Sequence, residues 1–311
     1  MNKNSKIYIA GHLGLVGSAI TRKLKSEGYK NLIFRTKDEL DLMNQSAVAE
    51  FLEKEKPEYV FLAAAKVGGI MANKTQKADF IYQNLQIQNN IIFNAWKSGV
   101  KKLLFLGSSC IYPKDCSQPI KEEYFMTGKL EETNDAYAIA KIAGIKMCQS
   151  FNEQYRTNFI SVMPTNLYGP NDNFDLENSH VLPAMIRKFH EAKEKNEKEV
   201  ILWGTGGVYR EFLFVDDLAD ACVYLMNNYD SSEVINIGTG EDLTIKELAN
   251  KIKGIVSFKG EIKWDTSKPD GTKRKKLNVN KLDKTGWKPK ISFDDGIKMT
   301  YDWFVNNYEK K

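Results

Sequence analysis

The stretch IAGHLGLVGSAI, residues 9–20, joins a short apolar run to an amphipathic segment through three glycines, Gly11, Gly14 and Gly17. A GxxGxxG turn between a strand and a helix lets the backbone bend sharply, approach a ligand closely and pack the helix on the strand. The first amides of such a helix lack partners within it and can bind an anion. The stretch therefore predicts a pyrophosphate-binding turn for a dinucleotide; the alternative is a plain turn with incidental glycines.

On both sides of this turn, apolar runs rich in Ile, Val, Leu and Phe alternate with segments of helical period. The runs are KIYIAG, NLIFRT, YVFLAAA, KLLFLGSS, FISVMPTN and VINIGTG. Buried strands separated by helix-length connections are typical of a parallel sheet covered by helices on both faces. The pattern predicts an α/β fold, a doubly wound parallel (Rossmann) sheet with a second, smaller mixed α/β domain.

The composition changes after NLYGP, which ends at Pro170. A segment rich in residues typical of loops follows, then a helix-like stretch from about Val181, a charged run and a lysine-rich tail. We expect a dinucleotide-binding domain over residues 1–170, to which residues 211–240 return. Residues 171–210 and 241–311 are expected to form the substrate-binding domain.

Composition and charge argue against several classes of protein. The chain has 311 residues, 42% of them hydrophobic, and a net charge of +5. The amino terminus is polar, with no apolar h-region, and no run approaches about 18 apolar residues, so we expect no signal peptide, no membrane span and a cytoplasmic location. Four cysteines with no CxxC spacing predict reduced thiols and no metal site. The mild positive charge favours a small polyanionic ligand over nucleic acid.

The residues after the second predicted strand bear on the choice of dinucleotide. NAD sites usually place a carboxylate there to bind the ribose 2′-hydroxyl. This chain has Arg35 and Lys37 before its first carboxylate, Asp38. Cations at this place favour a 2′-phosphate, so we expect NADP(H), the alternative being that Arg35 is a solvated residue. Asp41 is a weaker candidate for an adenine contact.

The segment DAYAIAKIAG places Tyr137 and Lys141 four residues apart, on one face of a predicted helix. An ammonium near a phenol favours the phenolate, so we expect Lys141 to lower the pKa of Tyr137. Ser108 follows the strand KLLFLG, at the sheet edge where ligands bind in open α/β folds. Together they predict a site in which Ser108 and Tyr137 bind a carbonyl oxygen while a nicotinamide delivers hydride.

With these residues in view, the chain resembles the extended short-chain dehydrogenase/reductase family over nearly its whole length. The resemblance rests on IAGHLGLVGSAI, LAAAKVGGI, DFIYQNL, LGSSCIYPK, YAIAKIAGIK, VMPTNLYGP, NSHV, REFLFVDD and SKPDGT. KVGGI and GSSCIYP are typical of family members that act on a GDP-bound keto sugar. The resemblance implies epimerisation of GDP-4-keto-6-deoxy-D-mannose at C3 and C5, then NADPH-dependent reduction at C4.

Site residues follow from the same resemblance. It implies Cys110 as the base and His180 as the acid that move the carbon-bound protons, beside catalytic Ser108, Tyr137 and Lys141. The implied cofactor contacts are Gly11, Gly14, Leu15, Val16, Gly17, Arg35, Lys37, Asp41, Leu42, Ala63, Ala64, Leu106, Gly107, Lys141, Pro164, Asn166, Leu167 and His180. The implied GDP-sugar contacts are Lys188, Trp203, Arg210, Asp270 and, more weakly, Lys275.

The chain departs from the family pattern at Leu13 and Lys188, where arginine is familiar. Leu13 leaves Arg35 and Lys37 to carry the NADP preference. Lys188 retains a positive charge but lacks the forked donor of arginine.

Other interpretations of the sequence stay open. A nucleotide-sugar 4-epimerase or a simple 4-ketoreductase would keep the serine, tyrosine and lysine without needing Cys110 and His180. A regulator that senses NADP, or a nucleic-acid-binding protein using the lysine-rich tail, would need none of them. We expect a homodimer, for which the helical segment DFIYQNLQIQNNIIFNAW could supply the interface; its apolar residues could equally be core.

Overall fold

A computed structural model describes residues 1–268 and 270–307. The strands are β1 (Ile7–Ala10), β2 (Leu32–Ile33), β3 (Tyr59–Leu62), β4 (Lys102–Leu106), β5 (Phe159–Pro164), β6 (Asn166–Tyr168), β7 (Glu199–Trp203), β8 (Tyr209–Arg210), β9 (Phe212–Phe214), β10 (Ile235–Ile237), β11 (Leu243–Thr244), β12 (Glu261–Asp265) and β13 (Arg274–Lys275). The helices are α1 (Leu15–Ser26), α2 (Gln45–Glu55), α3 (Ile70–Thr75), α4 (Lys77–Lys97), α5 (Asp135–Tyr155), α6 (Val181–Glu194), α7 (Val215–Asn228), α8 (Ile245–Val256), α9 (Asn280–Asp283) and α10 (Phe293–Asn307). Short 3₁₀ turns cover Ser109–Ile111 and Glu122–Tyr124. Residues 269 and 308–311 of the expected substrate domain lie outside the described residues.

Six strands of the described chain form one parallel sheet in the order β2-β1-β3-β4-β5-β10. They correspond to the six apolar runs, and the predicted doubly wound α/β fold is confirmed. Every residue of β1 and β4 is buried, as expected for strands covered on both faces. The chain winds from β1 to β2 in one direction and from β3 to β10 in the other. A ligand crevice is therefore expected at the carboxyl ends of β1 and β3.

The side chains of β1 alternate between two cores. Ile7 and Ile9 pack into the core beneath α1 and α7, whereas Tyr8 and Ala10 pack into the core beneath α2 and α4. Helix α5 packs on α4 over the second of these cores. In the described part of the chain, no helix has both the length and the apolar character needed to cross a membrane.

A third core lies outside the large sheet. Side chains of α6, α8 and α10 form it together with residues of β7 and β9. We expected the whole of residues 241–311 to belong to the substrate domain, but residues 277–287 pack against the large sheet instead. Leu277 and Trp287 pack into the two cores of the large sheet, because the chain returns to that sheet after β13.

Candidate active site

A cleft of about 710 Å³ opens at the carboxyl ends of β1, β3, β4 and β5. All residues that the sequence analysis assigns to catalysis or to the cofactor line this one cleft. Of the five GDP-sugar candidates, Lys275 also lines it, whereas Lys188, Trp203, Arg210 and Asp270 lie outside its wall. The cleft volume is within the usual range for a small-molecule site.

The three glycines of the first turn serve different purposes. Gly11 has φ +85°, and a Cβ there would lie 2.8 Å from the Cα of Ala64, just beyond β3. A Cβ on Gly17 would overlap the carbonyl oxygen of Gly11. On Gly14, by contrast, a Cβ would meet only that oxygen, at 3.6 Å. Packing therefore requires glycine at 11 and 17, whereas Gly14 leaves a bare backbone that a ligand can approach.

The first turn of α1 is suited to an anion. Gly14 is its N-cap, so the helix has no side-chain cap, and its first turn contains no acidic residue. The first amides and the positive end of the helix dipole therefore lie at the cleft without a competing carboxylate on the helix.

Beyond β2, the cations predicted for a 2′-phosphate line the same cleft. Arg35 donates to Glu55 Oε1 at 2.9 Å and lies over the ring of Phe51, 5.2 Å from its centroid. Its guanidinium is therefore partly engaged by the protein, while Lys37 is exposed. Asp41 accepts a hydrogen bond from the Met43 N–H at 3.0 Å, so its carboxylate also stabilises a turn.

Ser108 links the side chains at the end of β4. Its Oγ accepts from the Cys110 N–H at 3.3 Å as the N-cap of the 3₁₀ turn. Ser108 also hydrogen-bonds the Tyr137 side chain, which partly offsets the rise in the tyrosine pKa. The strand end thus brings the serine together with a tyrosine from α5, as the sequence predicts.

The expected effect of Lys141 on Tyr137 is wrong. Burial raises the pKa of Tyr137 above its ordinary value, and the nearby Cys110 adds to the rise. Lys141 Nζ donates to the carbonyl oxygen of Leu106 at 2.7 Å and lies 5.7 Å from the centroid of the Tyr137 ring. Burial also lowers the pKa of Lys141 to about 8. Tyr137 is therefore held as a neutral hydroxyl, and Lys141 anchors the end of β4.

Cys110 and Lys275 are neighbours in the cleft. Burial raises the pKa of the Cys110 thiol, and the positive charge of Lys275 counteracts part of that rise. Lys275 reaches this place because β13 pairs with β8, setting Lys275 opposite Arg210. Burial lowers the pKa of Lys275 itself, and Cys110 acts against that shift. The lysine suggested for phosphates thus lies beside the candidate base.

His180 is the N-cap residue of α6 and lines the cleft. Its ring is exposed to the cleft, but the surrounding walls displace water and lower the pKa of the imidazole. Near neutral pH the ring is then mostly uncharged. Only the minor fraction of His180 rings that is protonated can therefore act as the acid.

Trp203 lies between two lysines at the end of β7. Lys188 Nζ and Lys268 Nζ each lie 5.6 Å from the centroid of its ring. The indole is half exposed, so a planar group or a phosphate can approach it with two cations at hand. Sequence reasoning singled out Lys188 and Trp203 and missed Lys268, because only the pairing of β7 with β12 brings it close.

Arg210 and Asp270 are also adjacent. Arg210 Nη2 donates to the carbonyl oxygen of Asp270 at 3.4 Å. The carboxylate of Asp270 accepts from the Thr205 N–H and from Thr205 Oγ1, both at 2.8 Å. Asp270 therefore fixes the loop that contains Thr205. Its carboxylate can accept further hydrogen bonds, for example from a sugar hydroxyl.

Sequence reasoning missed a set of polar groups on the cleft wall. Four buried side-chain oxygens there have no hydrogen-bond partner among the described residues: Asn73 Oδ1, Asn134 Oδ1, Asp172 Oδ2 and Ser179 Oγ. Buried polar atoms are normally paired, so their concentration on this wall marks it as a polar ligand site. The polar residues in NDNFDLENSH and in the helix after KVGGI could have indicated a polar ligand site, but the sequence does not show that they are buried.

Comparisons with known proteins agree with this geometry. Residues 7–238 match the sequence model of the NAD dependent epimerase/dehydratase family. A putative GDP-L-fucose synthase 2 of Arabidopsis thaliana is 60% identical over 311 residues, 100% of this chain and 95% of that protein. The GDP-L-fucose synthase of Escherichia coli (strain K12) is 52% identical over 314 residues, 98% of each chain.

A solved structure shows the same architecture. MlghC, a GDP-mannoheptose C4 reductase from Campylobacter jejuni with NADP bound, has a TM-score of 0.91 to this structure. The two sequences are 48% identical, and the match covers 98% of this chain and 99% of that one. The sequence match, these relatives and the shared fold lead to one conclusion: the chain belongs to the NAD dependent epimerase/dehydratase family.

Proposed function

We propose that this protein converts GDP-4-keto-6-deoxy-D-mannose to GDP-L-fucose, by epimerisation at C3 and C5 and NADPH-dependent reduction at C4. The observation that carries the proposal is that Ser108, Tyr137, Cys110 and His180 line one cleft. Relatives that are 52% and 60% identical over almost their full length are named GDP-L-fucose synthases, which supports this substrate.

The cleft fits NADP(H). Gly14 carries no Cβ that would fill the approach to the first turn of α1, and the amides of that turn would hold the diphosphate. Arg35 and Lys37 lie where they would meet a 2′-phosphate. When bound, the nicotinamide supplies hydride to C4 of the sugar. The NADP-bound state of MlghC supports this choice of dinucleotide.

The role proposed for Ser108 and Tyr137 is to bind the C4 oxygen. Because burial keeps Tyr137 protonated, its hydroxyl is a hydrogen-bond donor. Two donors on one oxygen stabilise the negative charge that develops there when a proton leaves C3 or C5. The same donors stabilise the alkoxide formed at C4, and Tyr137 supplies its proton. One oxygen-binding site thus serves both reactions.

The proton transfers at carbon fall to Cys110 and His180. Lys275 favours the thiolate of Cys110, and a thiolate is the form that removes a proton from C3 or C5. Protonated His180 returns a proton to the enolate at carbon. A change of configuration requires removal and return on opposite faces of the ring, which needs two separate groups.

We assign the GDP portion of the substrate to the positively charged surface around Trp203. Lys188 and Lys268 would bind the diphosphate beside Trp203, and Arg210 lies opposite Lys275, which lines the cleft. We therefore propose that residues 1–170 and 211–240 bind the dinucleotide, while residues 171–210 and much of 241–311 bind the nucleotide sugar.

Two further assignments are proposals. We propose a homodimer joined through α4 and α5, because Phe93, Trp96, Phe151 and Tyr155 form an aromatic cluster across these helices in which Phe93 and Tyr155 are 40% and 41% exposed. Light scattering should give a molar mass of twice that of the monomer, and Phe93→Glu should lower it to the mass of one monomer.

We also propose a reducing, cytoplasmic setting, since all four cysteines are free thiols.

A turnover assay tests the proposed function. The protein is incubated with NADPH and GDP-4-keto-6-deoxy-D-mannose, the loss of NADPH absorbance is followed, and the sugar nucleotide is compared with authentic GDP-L-fucose. A second candidate, a GDP-sugar C4 reductase without epimerase activity, is favoured by the 48% identity to MlghC. Turnover without change at C3 and C5 would support that candidate. Activity on a UDP sugar alone would instead indicate a different nucleotide-sugar enzyme.

A further inference from the structure

A short segment after β3, residues 66–69, is held by two buried amide side chains. Asn84 accepts from the Lys66 N–H at 2.9 Å and donates to the Lys66 carbonyl oxygen at 3.0 Å. Asn73 Nδ2 donates to the carbonyl oxygens of Gly68 at 2.8 Å and Gly69 at 3.0 Å. Because both asparagines are buried, water does not readily replace these hydrogen bonds. We name residues 66–69 the strap.

The strap lies against the chain that leads into α6. The Gly69 N–H donates to the carbonyl oxygen of Asn178 at 2.8 Å. A Cβ on Gly69 would lie 2.5 Å from the carbonyl oxygen of Ser179 and 3.3 Å from that of Asn178. Gly69 itself has φ −67° and ψ −178°, a conformation open to any residue. Contact with the neighbouring backbone, and not the conformation of Gly69, therefore excludes a side chain here.

The same chain segment is fixed from its other side by Asp175. The Ser179 N–H donates to the Asp175 carbonyl oxygen at 3.1 Å, and the Asn178 N–H donates to Asp175 Oδ1 at 2.8 Å. Asn178 and Ser179 are thus held between a turn and the strap. His180 follows directly and begins α6.

We propose that the strap is a positioning element for His180, with Gly69 as the contact that sets where the backbone of Asn178 and Ser179 can lie. The strap comes from the end of β3 and touches neither Ser108 nor the Tyr137 hydroxyl in any described hydrogen bond. Its effect should therefore fall on the proton transfer at C3 and C5 and spare hydride transfer at C4. The inference rests on the proposed function, which gives His180 that proton transfer.

Gly69→Ala tests the proposal. A Cβ on residue 69 would lie 2.5 Å from the Ser179 carbonyl oxygen, and Cβ contacts under 3.0 Å are essentially never seen, so the strap and the Ser179 backbone must separate by about 0.5 Å or more. Displacements approaching 1 Å cost catalysis on the order of 100-fold, and we expect a loss on the order of 10- to 100-fold in proton exchange. The readout, called exchange below, is deuterium uptake with inversion of configuration at C3 and C5 of the keto sugar in D₂O, because inversion needs the acid as well as the base. Hydride transfer is measured separately, in reverse, from GDP-L-fucose to NADP⁺, and should stay within about threefold.

Two control variants make the outcome decisive. Gly254→Ala, in α8 with no atom within 4 Å of the added Cβ, should change neither reaction. His180→Gln should lose exchange; if it keeps exchange, the proton-transfer role in the proposed function is wrong. If His180→Gln loses exchange while Gly69→Ala keeps it, or if Gly69→Ala loses both reactions equally, the positioning role is overturned.

A second variant covers the case in which Gly69→Ala does not fold. Asn84→Asp keeps the size of the side chain but sets a carboxylate oxygen against the carbonyl oxygen of Lys66, which releases the strap, and Asn84 does not line the cleft. It should show the same split, with exchange reduced more than hydride transfer. Equal loss of both in a folded Asn84→Asp variant would count against the strap as a positioning element.

Discussion

Replacement of Gly14 by aspartate should raise stability and abolish dinucleotide binding at the same time. Gly14 is the N-cap of α1, with φ −77° and ψ 172°, which aspartate adopts without strain. The helix has neither a side-chain cap nor an acidic residue in its first turn. An aspartate here would accept hydrogen bonds from the first amides, the same groups that we assign to the diphosphate of NADPH.

The two effects differ in sign and in size. Aspartate is better than glycine at an N-cap by a few tenths of a kcal/mol, and its charge adds about 0.3–1 kcal/mol from the helix dipole. Two unit charges about 4 Å apart near a protein surface repel by about 4 kcal/mol. Since about 1.4 kcal/mol is tenfold in affinity, the Kd for NADPH should rise on the order of 1,000-fold. Salt should reduce this penalty by screening.

The assay combines thermal unfolding with titration of NADPH by fluorescence, for the parent, Gly14→Asp and Gly14→Ala. The alanine variant separates size from charge: its Cβ meets only the Gly11 carbonyl oxygen at 3.6 Å, so its loss of affinity should be much smaller. A Gly14→Asp protein that folds normally and binds NADPH like the parent would refute the assignment of the diphosphate to α1.

Three further outcomes are expected. Tyr137→Phe should abolish NADPH oxidation with little change in Tm or NADPH affinity, because only the hydroxyl is removed; turnover at the parent rate would show that another group protonates the C4 oxygen. Removal of the C3 and C5 protons needs the Cys110 thiolate but not protonated His180, so total deuterium uptake, with or without inversion, should rise with pH above neutrality because burial raises the pKa of Cys110; Lys275→Met should move that profile to still higher pH, and an identical profile in both proteins would remove Lys275 from this role. Burial raises the pKa of Asp172 to about 7, above about 3.9 in the unfolded chain, so its ionisation costs stability as pH rises from about 4 to about 7. Asp172→Asn should therefore exceed the parent in Tm at about pH 8 and match it near pH 4; equal Tm at both pH values would contradict the shift.

The sequence predicted those parts of the fold and site that depend on local pattern. The glycine turn at Gly11–Gly17 and the apolar runs located the sheet and its ligand edge, because buried parallel strands and tight turns have strong residue preferences. The spacing of Tyr137 and Lys141 on one helix face was likewise readable, and the structure shows both on the cleft wall.

What the sequence did not predict depends on burial and on pairing between distant segments. The pKa of Tyr137 is raised, opposite to the expectation, because burial desolvates the phenol while Lys141 donates to the Leu106 carbonyl oxygen. Arg35 pairs with Glu55, 20 residues away, and Lys275 reaches Cys110 only through the pairing of β8 with β13. No local pattern of residues reveals such contacts.

The central claim is that this protein both epimerises the keto sugar at C3 and C5 and reduces it at C4, and isotopic labelling tests it most directly. GDP-4-keto-6-deoxy-D-mannose and NADPH are incubated with the protein in D₂O, and the product is analysed by NMR. The account predicts GDP-L-fucose with deuterium at C3 and C5 and protium from NADPH at C4. A reduced sugar that retains protium at C3 and C5, with its original configuration at both carbons, would contradict it.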